Sequence, residues 1–464
     1  MGLMLGDDLP EVSRALVVGL ARSGRAAVEV LLSHGVEVVA NDASPVGEIE
    51  PPAQRDGLTV VLGGHPESVL DRVQLVVVSP GVPQTLPLLD AARARALPVV
   101  SEVEVASRLL PGPVVAVTGT NGKSTTTSLA AALLAAAGRD AVACGNLGTP
   151  WISYAAPGAG EVPPGRVWVV ELSSYQLEGV RSFAPDVAVH LNLTPDHLDR
   201  YRSLDDYGAA KARIFGNQRE AQVAVLNADD PLVARISPRA RRLDFSRRGP
   251  VPLGAFLAGD DLVVDASGRG QRTFARRSDL ALPGAHNTEN ALAALAAAAP
   301  FGLEPAAAVA ALRAFRGLPH RTALVRVLGG VSWYDDSKGT NVDATLKSLE
   351  GFGDGRVFAI LGGKDKGDDF GRLAPLLAVK ARKALLIGAS EEVLARALSA
   401  ALPVSRCGTL ERAVEEAARE AAPGDVVLLS PACASFDQFR NFEHRGEAFE
   451  ALVNALPGGS GGGR

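Results

Sequence analysis

The stretch PGPVVAVTGTNGKSTTTSLAAALLAAAG, residues 111–138, reads as a buried strand, a glycine-rich turn and an alanine- and leucine-rich helix. Backbone N–H groups in such a strand-to-helix turn converge on phosphate oxygens, and a lysine beside them neutralises β and γ phosphates. Gly119, Thr120, Asn121, Gly122, Lys123, Ser124 and Thr125 are therefore candidate nucleotide contacts, with the Ser124 hydroxyl also a candidate ligand of Mg²⁺. Val117 stands where a full P-loop would place its first glycine, so a plain glycine-rich turn is the competing reading.

Strands continue after the loop. VWVVELSS, VAVHLNL and VAVLNADD are apolar throughout, as in a parallel sheet covered on both faces. The segment 244–277 has short alternating runs between turn signals and predicts a small antiparallel patch. Upstream, RALVVGL, ARSGRAAVEVLLSHG, VEVVAND and LVVVSPGVP alternate strand and helix, the pattern of a doubly wound nucleotide-type domain. Its first loop, Gly19 to Gly24, lacks the second glycine of GxGxxG, which weakens a dinucleotide assignment. Downstream of Leu318-Pro-His-Arg321, the strands VSWYDDS, RVFAILGG, KALLIGA and DVVLLSPA alternate with helical stretches and predict another parallel sheet. The fold predicted is α/β in three domains: 1–108 Rossmann-like, 109–316 a P-loop-type ATPase unit, and 317–464 Rossmann-like. At about 150 residues per domain, the 464 residues accommodate three.

Composition narrows the partners. With 47 basic and 52 acidic residues and a net charge of −5, the chain carries no broad basic surface for nucleic acid or anionic membrane. The N-terminus MGLMLGDDLPE has acids where a signal peptide has bases, and no apolar run reaches a membrane span, so a cytoplasmic protein without membrane insertion is expected. Cys144, Cys407 and Cys433 are scattered and suit reduced thiols. Only Lys123, Lys211, Lys338, Lys347, Lys364, Lys366, Lys380 and Lys383 are lysines, so each marks a place where a compact or titratable amine has use.

Several polar groups sit at predicted strand ends. Glu171 closes VWVVELSS and suits either nucleotide Mg²⁺ or a helix cap. His197 follows the next strand, and Lys211 lies four residues beyond Tyr207 on one helix face, ordinarily a surface lysine. Asn287 reads as a helix N-cap. Asp336-Ser-Lys338-Gly-Thr340-Asn341 and Gly362-Gly-Lys364-Asp-Lys366 pack charge into two further strand-to-helix turns.

The TGTNGKST loop, with the run SPACASFDQFRNFEHRG at 430–446, resembles the Mur ligases, ATP-dependent peptide ligases of cell-wall precursor synthesis. The resemblance spans essentially the whole chain up to the Gly/Ser tail, and the 430–446 run is similar to that of the branch that joins D-glutamate to UDP-N-acetylmuramoyl-L-alanine. It implies Mg²⁺ ligation by Ser124, Glu171, His197 and a CO₂-carbamylated Lys211, with two ions. It implies a place near substrate and γ-phosphate for Asn146 and a polar role for Ser173. Asn290 is implied at adenine, Arg321 and Asp336 at the nucleotide, and Lys338 at phosphate. Thr340, Lys366, Ser435 and Phe442 are implied around D-glutamate. In the first domain, Arg22, Ser23, Asp42, Ser79 and Gly81 are implied along the UDP-sugar, although Ala43-Ser44 replaces the family's frequent Thr-Arg pair. The implied reaction is carboxylate phosphorylation by ATP, then amine attack on the acyl phosphate, by a monomer whose third domain closes to exclude water. Sister Mur ligases and folylpolyglutamate synthases are the nearest alternatives. An ATP-hydrolysing regulatory protein and an NAD-dependent dehydrogenase represent other classes.

Overall fold

The computed structural model describes residues 2–49, 51–197, 200–282 and 284–457. They form two compact units, one from the described residues of 2–280 and 289–314, the other from those of 281–288 and 315–457.

The first unit holds two sheets. One contains β1 (Arg14–Val18), β2 (Glu37–Asp42), β3 (Leu58–Leu62), β4 (Leu75–Val78) and β5 (Val99–Ser101), all parallel in the order β3-β2-β1-β4-β5. The order reverses between β1 and β4, which opens a crevice at their C-terminal ends. The loop leaving β1 passes into the helix Arg22–Ser33. A Cβ on Gly24 would lie 1.8 Å from the Gly19 carbonyl oxygen, so the last glycine of this loop exists for close packing of helix on strand.

The second sheet has nine strands: β6 (Val114–Thr118), β7 (Ala141–Gly145), β8 (Val167–Glu171), β9 (Val187–His190), β10 (Val223–Asn227), β11 (Arg241–Ser246), β12 (Gly254–Ala258), β13 (Asp261–Asp265) and β14 (Arg272–Arg276). Their order is β14-β13-β12-β11-β10-β9-β6-β8-β7, which sets β6 between β9 and β8. Strands β6, β8, β9 and β10 are buried at every residue, and the side chains of one face, Val114, Ala116, Val170, Ala188, Ala224 and Leu226 among them, join the core around Trp151 and Trp168. The predicted antiparallel patch forms at the edge of the central sheet, where β13 pairs antiparallel with both β12 and β14. β11 and β12 continue the parallel sheet and β13 alone runs against it, so the segment widens the central sheet. Short alternating runs do not distinguish a separate patch from an edge extension, because both leave one face wet.

The second unit contains β15 (Ala323–Leu328), β16 (Val331–Asp335), β17 (Val357–Gly362), β18 (Ala381–Ile387), β19 (Val404–Gly408) and β20 (Val426–Leu429), in the order β15-β16-β20-β17-β18-β19. Only the edge strand β15 is antiparallel. Because β20 lies between β16 and β17, the loops leaving these three strands emerge side by side. The helix Ala285–Ala298 starts two residues before Asn287, which is therefore inside the first turn and not the N-cap.

Replacing Gly24 by alanine forces backbone apart and is expected to cost about 1–3 kcal/mol, read as a lower midpoint in urea unfolding. An unchanged midpoint would show that the first loop tolerates a side chain there.

Candidate active site

The phosphate-type loop leaves β6 and enters the helix Lys123–Ala136 through Gly122, whose φ of 82° is left-handed. The loop is strapped to the segment after β9. Thr120 N donates to the Asn192 carbonyl at 2.9 Å, Asn121 N to Asn192 Oδ1 at 2.8 Å, and Thr194 N to Thr120 Oγ1 at 3.1 Å. Lys123 Nζ donates to the Gly119 and Thr120 carbonyls at 3.0 and 2.8 Å. Among the described residues the buried Asn121 side-chain nitrogen has no hydrogen-bond partner, a donor suited to an incoming oxygen.

Glu171 stands beside this loop because β8 pairs with β6, in the register Val117 to Glu171. Its carboxylate accepts from the Ser124 hydroxyl and from Asn146 Nδ2, the latter at 2.7 Å. Asn146 follows β7, the other neighbour of β8. Ser124, Glu171 and Asn146 thus meet in one hydrogen-bonded group. Oxygen donors from Ser124 and Glu171 suit a hard divalent cation, and phosphate oxygens on the neighbouring loop would complete its shell.

His197 lies in the segment after β9 with a left-handed φ of 56°. Its Nδ1 is 2.8 Å from the Tyr175 hydroxyl and its Nε2 3.6 Å from Asp196. Lys211 is 1% exposed, in the helix Leu204–Ala212. Its Nζ donates to the Gly119 carbonyl at 2.8 Å and sits 4.5 Å from the centre of the Tyr207 ring. Burial first, then the positive Lys123, holds the Lys211 amine well below the ordinary lysine value. It is the opposite of a surface lysine. His190, at the end of β9, went unnoticed in the sequence; burial and the two lysines press its pKa down to about 3, so the imidazole is neutral.

At the edge of the first sheet, Asp42 Oδ2 accepts from Leu20 N at 2.6 Å and Oδ1 from Ser44 N at 2.9 Å. The carboxylate braces the loop that leads into the helix beginning with Arg22 and Ser23. Arg22 reaches the Asn146 carbonyl at 3.4 Å, and Ser79 is buried at the end of β4 with Gly81 exposed beyond it. Ser173 caps the short helix Ser174–Glu178 in a capping box with Gln176. Asn290 is buried against the loop, its Oδ1 accepting from Thr126 at 3.3 Å.

In the second unit, Asp336 is buried and accepts from Thr322 N at 3.1 Å, from Ser430 Oγ at 2.7 Å and from Ser348 Oγ. Burial pushes its carboxyl up to about 6 against these donors and the nearby Arg321. Lys338 Nζ stands 3.7 Å from the centre of the Phe442 ring, a cation–π contact. Ser435 is buried, Thr340 half-buried, and Lys366 exposed on the loop after β17.

Three family models match the chain: a Mur ligase MurD-like N-terminal domain over residues 13–101, the Mur ligase middle domain over 117–298, and the Mur ligase glutamate ligase domain over 320–433. A protein of Geotalea uraniireducens named UDP-N-acetylmuramoylalanine--D-glutamate ligase is 45% identical over 453 residues, covering 97% of this chain and 98% of its own. This chain belongs to the Mur ligase family. The protein of the same name from Myxococcus xanthus is 46% identical over 457 residues, 96% of this Mur ligase and 98% of its own length. The fold is shared with the crystal structure of MurF ligase from Thermotoga maritima in complex with ADP, at a TM-score of 0.60 and 19% identity over 95% of each chain. MurC from Thermotoga maritima superposes at a TM-score of 0.59 with 20% identity, over 96% of this chain and 100% of the other. Like its family, this Mur ligase is an ATP-dependent enzyme. Among the described residues no helix is long and apolar enough to cross a membrane.

Two measurements check the site. Glu171→Gln keeps the shape of the group while removing its charge, and is expected to lower kcat by about 10²-fold or more in an ADP-release assay. Asp336 holds its proton up to about pH 6 in the folded chain, against an ordinary value of 3.8. Its raised pKa makes the fold more stable below pH 4 and withdraws that stability as pH rises through 6. Wild type should therefore lose on the order of 3 kcal/mol relative to Asp336→Asn between pH 4 and 7, measured by urea unfolding of both proteins.

Proposed function

We infer that this Mur ligase joins the amine of D-glutamate to the terminal carboxylate of UDP-N-acetylmuramoyl-L-alanine, consuming ATP, in peptidoglycan precursor synthesis. The observation that carries this reading is the near full-length match, at 42–46% identity, to curated proteins of that name. The loop and strand-end geometry agree with it chemically.

The loop N–H groups and Lys123 grip the β and γ phosphates of ATP. Their positive field lowers the repulsion that keeps an anionic carboxylate away from a phosphorus centre. Asn146, held against Glu171, faces the junction between phosphate and acceptor, and Arg22, Ser23, Asp42, Ser79 and Gly81 hold the UDP-sugar at the edge of the first sheet. Ser173 adds a hydroxyl at the end of β8. Carboxylate attack on the γ phosphorus gives an acyl phosphate and ADP. The D-glutamate amine then adds to the carbonyl, loses its proton, and phosphate leaves, so that amide, ADP and phosphate are the products. Lys338, Thr340, Lys366, Ser435 and Phe442 receive the amino acid and the adjoining phosphate, while Asn290, Arg321 and Asp336 support the nucleotide.

Ser124, Glu171, His197 and a carbamylated Lys211 would hold Mg²⁺, two ions in all, which neutralises phosphate oxygens when bound. The low basicity and burial of Lys211 support carbamylation. A neutral amine is the form that adds to CO₂, and the resulting carbamate replaces a repelling cation by an oxygen anion. A cytoplasmic, monomeric enzyme completes the reading.

Product mass from a matrix of amino acids and UDP-muramoyl acceptors is expected to show amide formation only with D-glutamate and the L-alanyl acceptor. ADP release independent of either substrate would overturn the ligase reading. Lys211→Ala should be inactive and regain activity on addition of a short-chain carboxylic acid; full activity without the acid would remove the carbamate.

A further inference from the structure

Arg445 is 1% exposed, in the first turn of the helix Phe442–Ala455. Its hydrogen bonds join three loops. Nε donates to Ser337 Oγ at 3.0 Å and Nη2 to the Ser337 carbonyl at 2.8 Å, on the loop after β16. Nη1 and Nη2 both reach the Cys433 carbonyl at 3.2 Å, on the loop after β20, and Nη1 also reaches the Ala434 carbonyl at 3.5 Å. The Gly362 carbonyl, where β17 ends, is 3.5 Å from Nη1. The same Ser337 hydroxyl donates to the Phe442 carbonyl at 2.8 Å. Lys364 and Ala434 exchange both backbone hydrogen bonds, at 2.8 and 3.1 Å, which locks the second and third loops together.

A fully buried cation is ordinarily paired with a carboxylate, because desolvation is otherwise uncompensated. Here, among the described residues, the guanidinium has carbonyl and hydroxyl partners, and burial pulls its pKa down to about 10. Such a placement is retained at a cost and calls for a reason. The three loops it joins are those that carry Lys338, Lys366 and Ser435, and its own helix begins with Phe442. A planar fork with five donors fixes distances among several backbone strands at once, which an ammonium on a flexible stem does not.

We propose that Arg445 is the positioning residue of the amino-acid site, setting the spacing of the Thr340, Lys366 and Ser435 loops so that both carboxylates of the incoming D-glutamate are met together. It acts through those loops and touches no substrate. The proposal rests on the assignment of these loops to D-glutamate made above.

The test compares Arg445→Lys, Arg445→Ala and Lys366→Met with wild type in steady-state kinetics. Arg445→Lys is expected to raise the KM for D-glutamate by about 10²-fold, with the KM for ATP within about twofold of wild type. Added guanidinium at millimolar concentration is expected to restore D-glutamate affinity to Arg445→Ala, and methylammonium is not. Lys366→Met separates the two layers of the argument. If it leaves the D-glutamate KM unchanged, the loops do not form the amino-acid site, and both the assignment and the proposal fall. If it raises that KM while Arg445→Lys behaves as wild type, the assignment stands and the positioning role is overturned. Equal losses for D-glutamate and ATP in Arg445→Lys would likewise overturn it, and would mark Arg445 as a general structural residue. Should Arg445→Ala not fold, Arg445→Lys alone decides the question.

Discussion

A parallel strand delivers the chain to one edge of its sheet, and the order of strands decides which loops become neighbours there. In the central sheet, the placement of β6 between β8 and β9 brings the lysine-bearing loop against Glu171 on one side and Asn192 on the other. The placement of β20 between β16 and β17 does the same for the three polar loops of the second unit. Chemistry-bearing residues far apart in sequence become adjacent without a dedicated contact between them. Hydrogen bonds such as Asn121 with Asn192 then trim the loops into their final shape.

A second theme is how positive charge is held. Lys123, Lys211 and Arg445 all donate to backbone carbonyls. Each carbonyl dipole orients its donor and offsets part of the hydration lost on burial. Burial raises the strength of these interactions and their cost together, as the lowered basicity of Lys211 and Arg445 records.

Much of this was legible in the sequence. Short, mostly apolar runs bounded by turn signals identified β1, β2, β4, β6, β8, β9, β10, β16, β17, β18 and β20, because their length and flanking residues suit a strand of a covered sheet. The short strands β3, β5 and β19 carry mixed or partly exposed residues and lacked that signal. Asn287 looked like a cap by composition, but the helix begins earlier because Ala285 and His286 extend it from Gly284. The burial of Lys211 was invisible, since Tyr207 four residues earlier fits a surface face equally well and only packing against the loop after β6 decides the matter. Arg445 was one arginine among many in a chain that uses arginine for ordinary surface charge. His190 was read as part of an apolar strand, and its environment depends on two lysines distant in sequence.

The enclosure of Lys211 has one further consequence. An amine held below its ordinary basicity keeps its lone pair free nearer neutral pH, yet this one is closed in by the Tyr207 ring and the phosphate-type loop. Access is therefore graded by molecular size. The smaller and less charged an electrophile, the less packing it must displace to meet this nitrogen, so the enclosure shields the side chain from bulky acylating reagents and sugars.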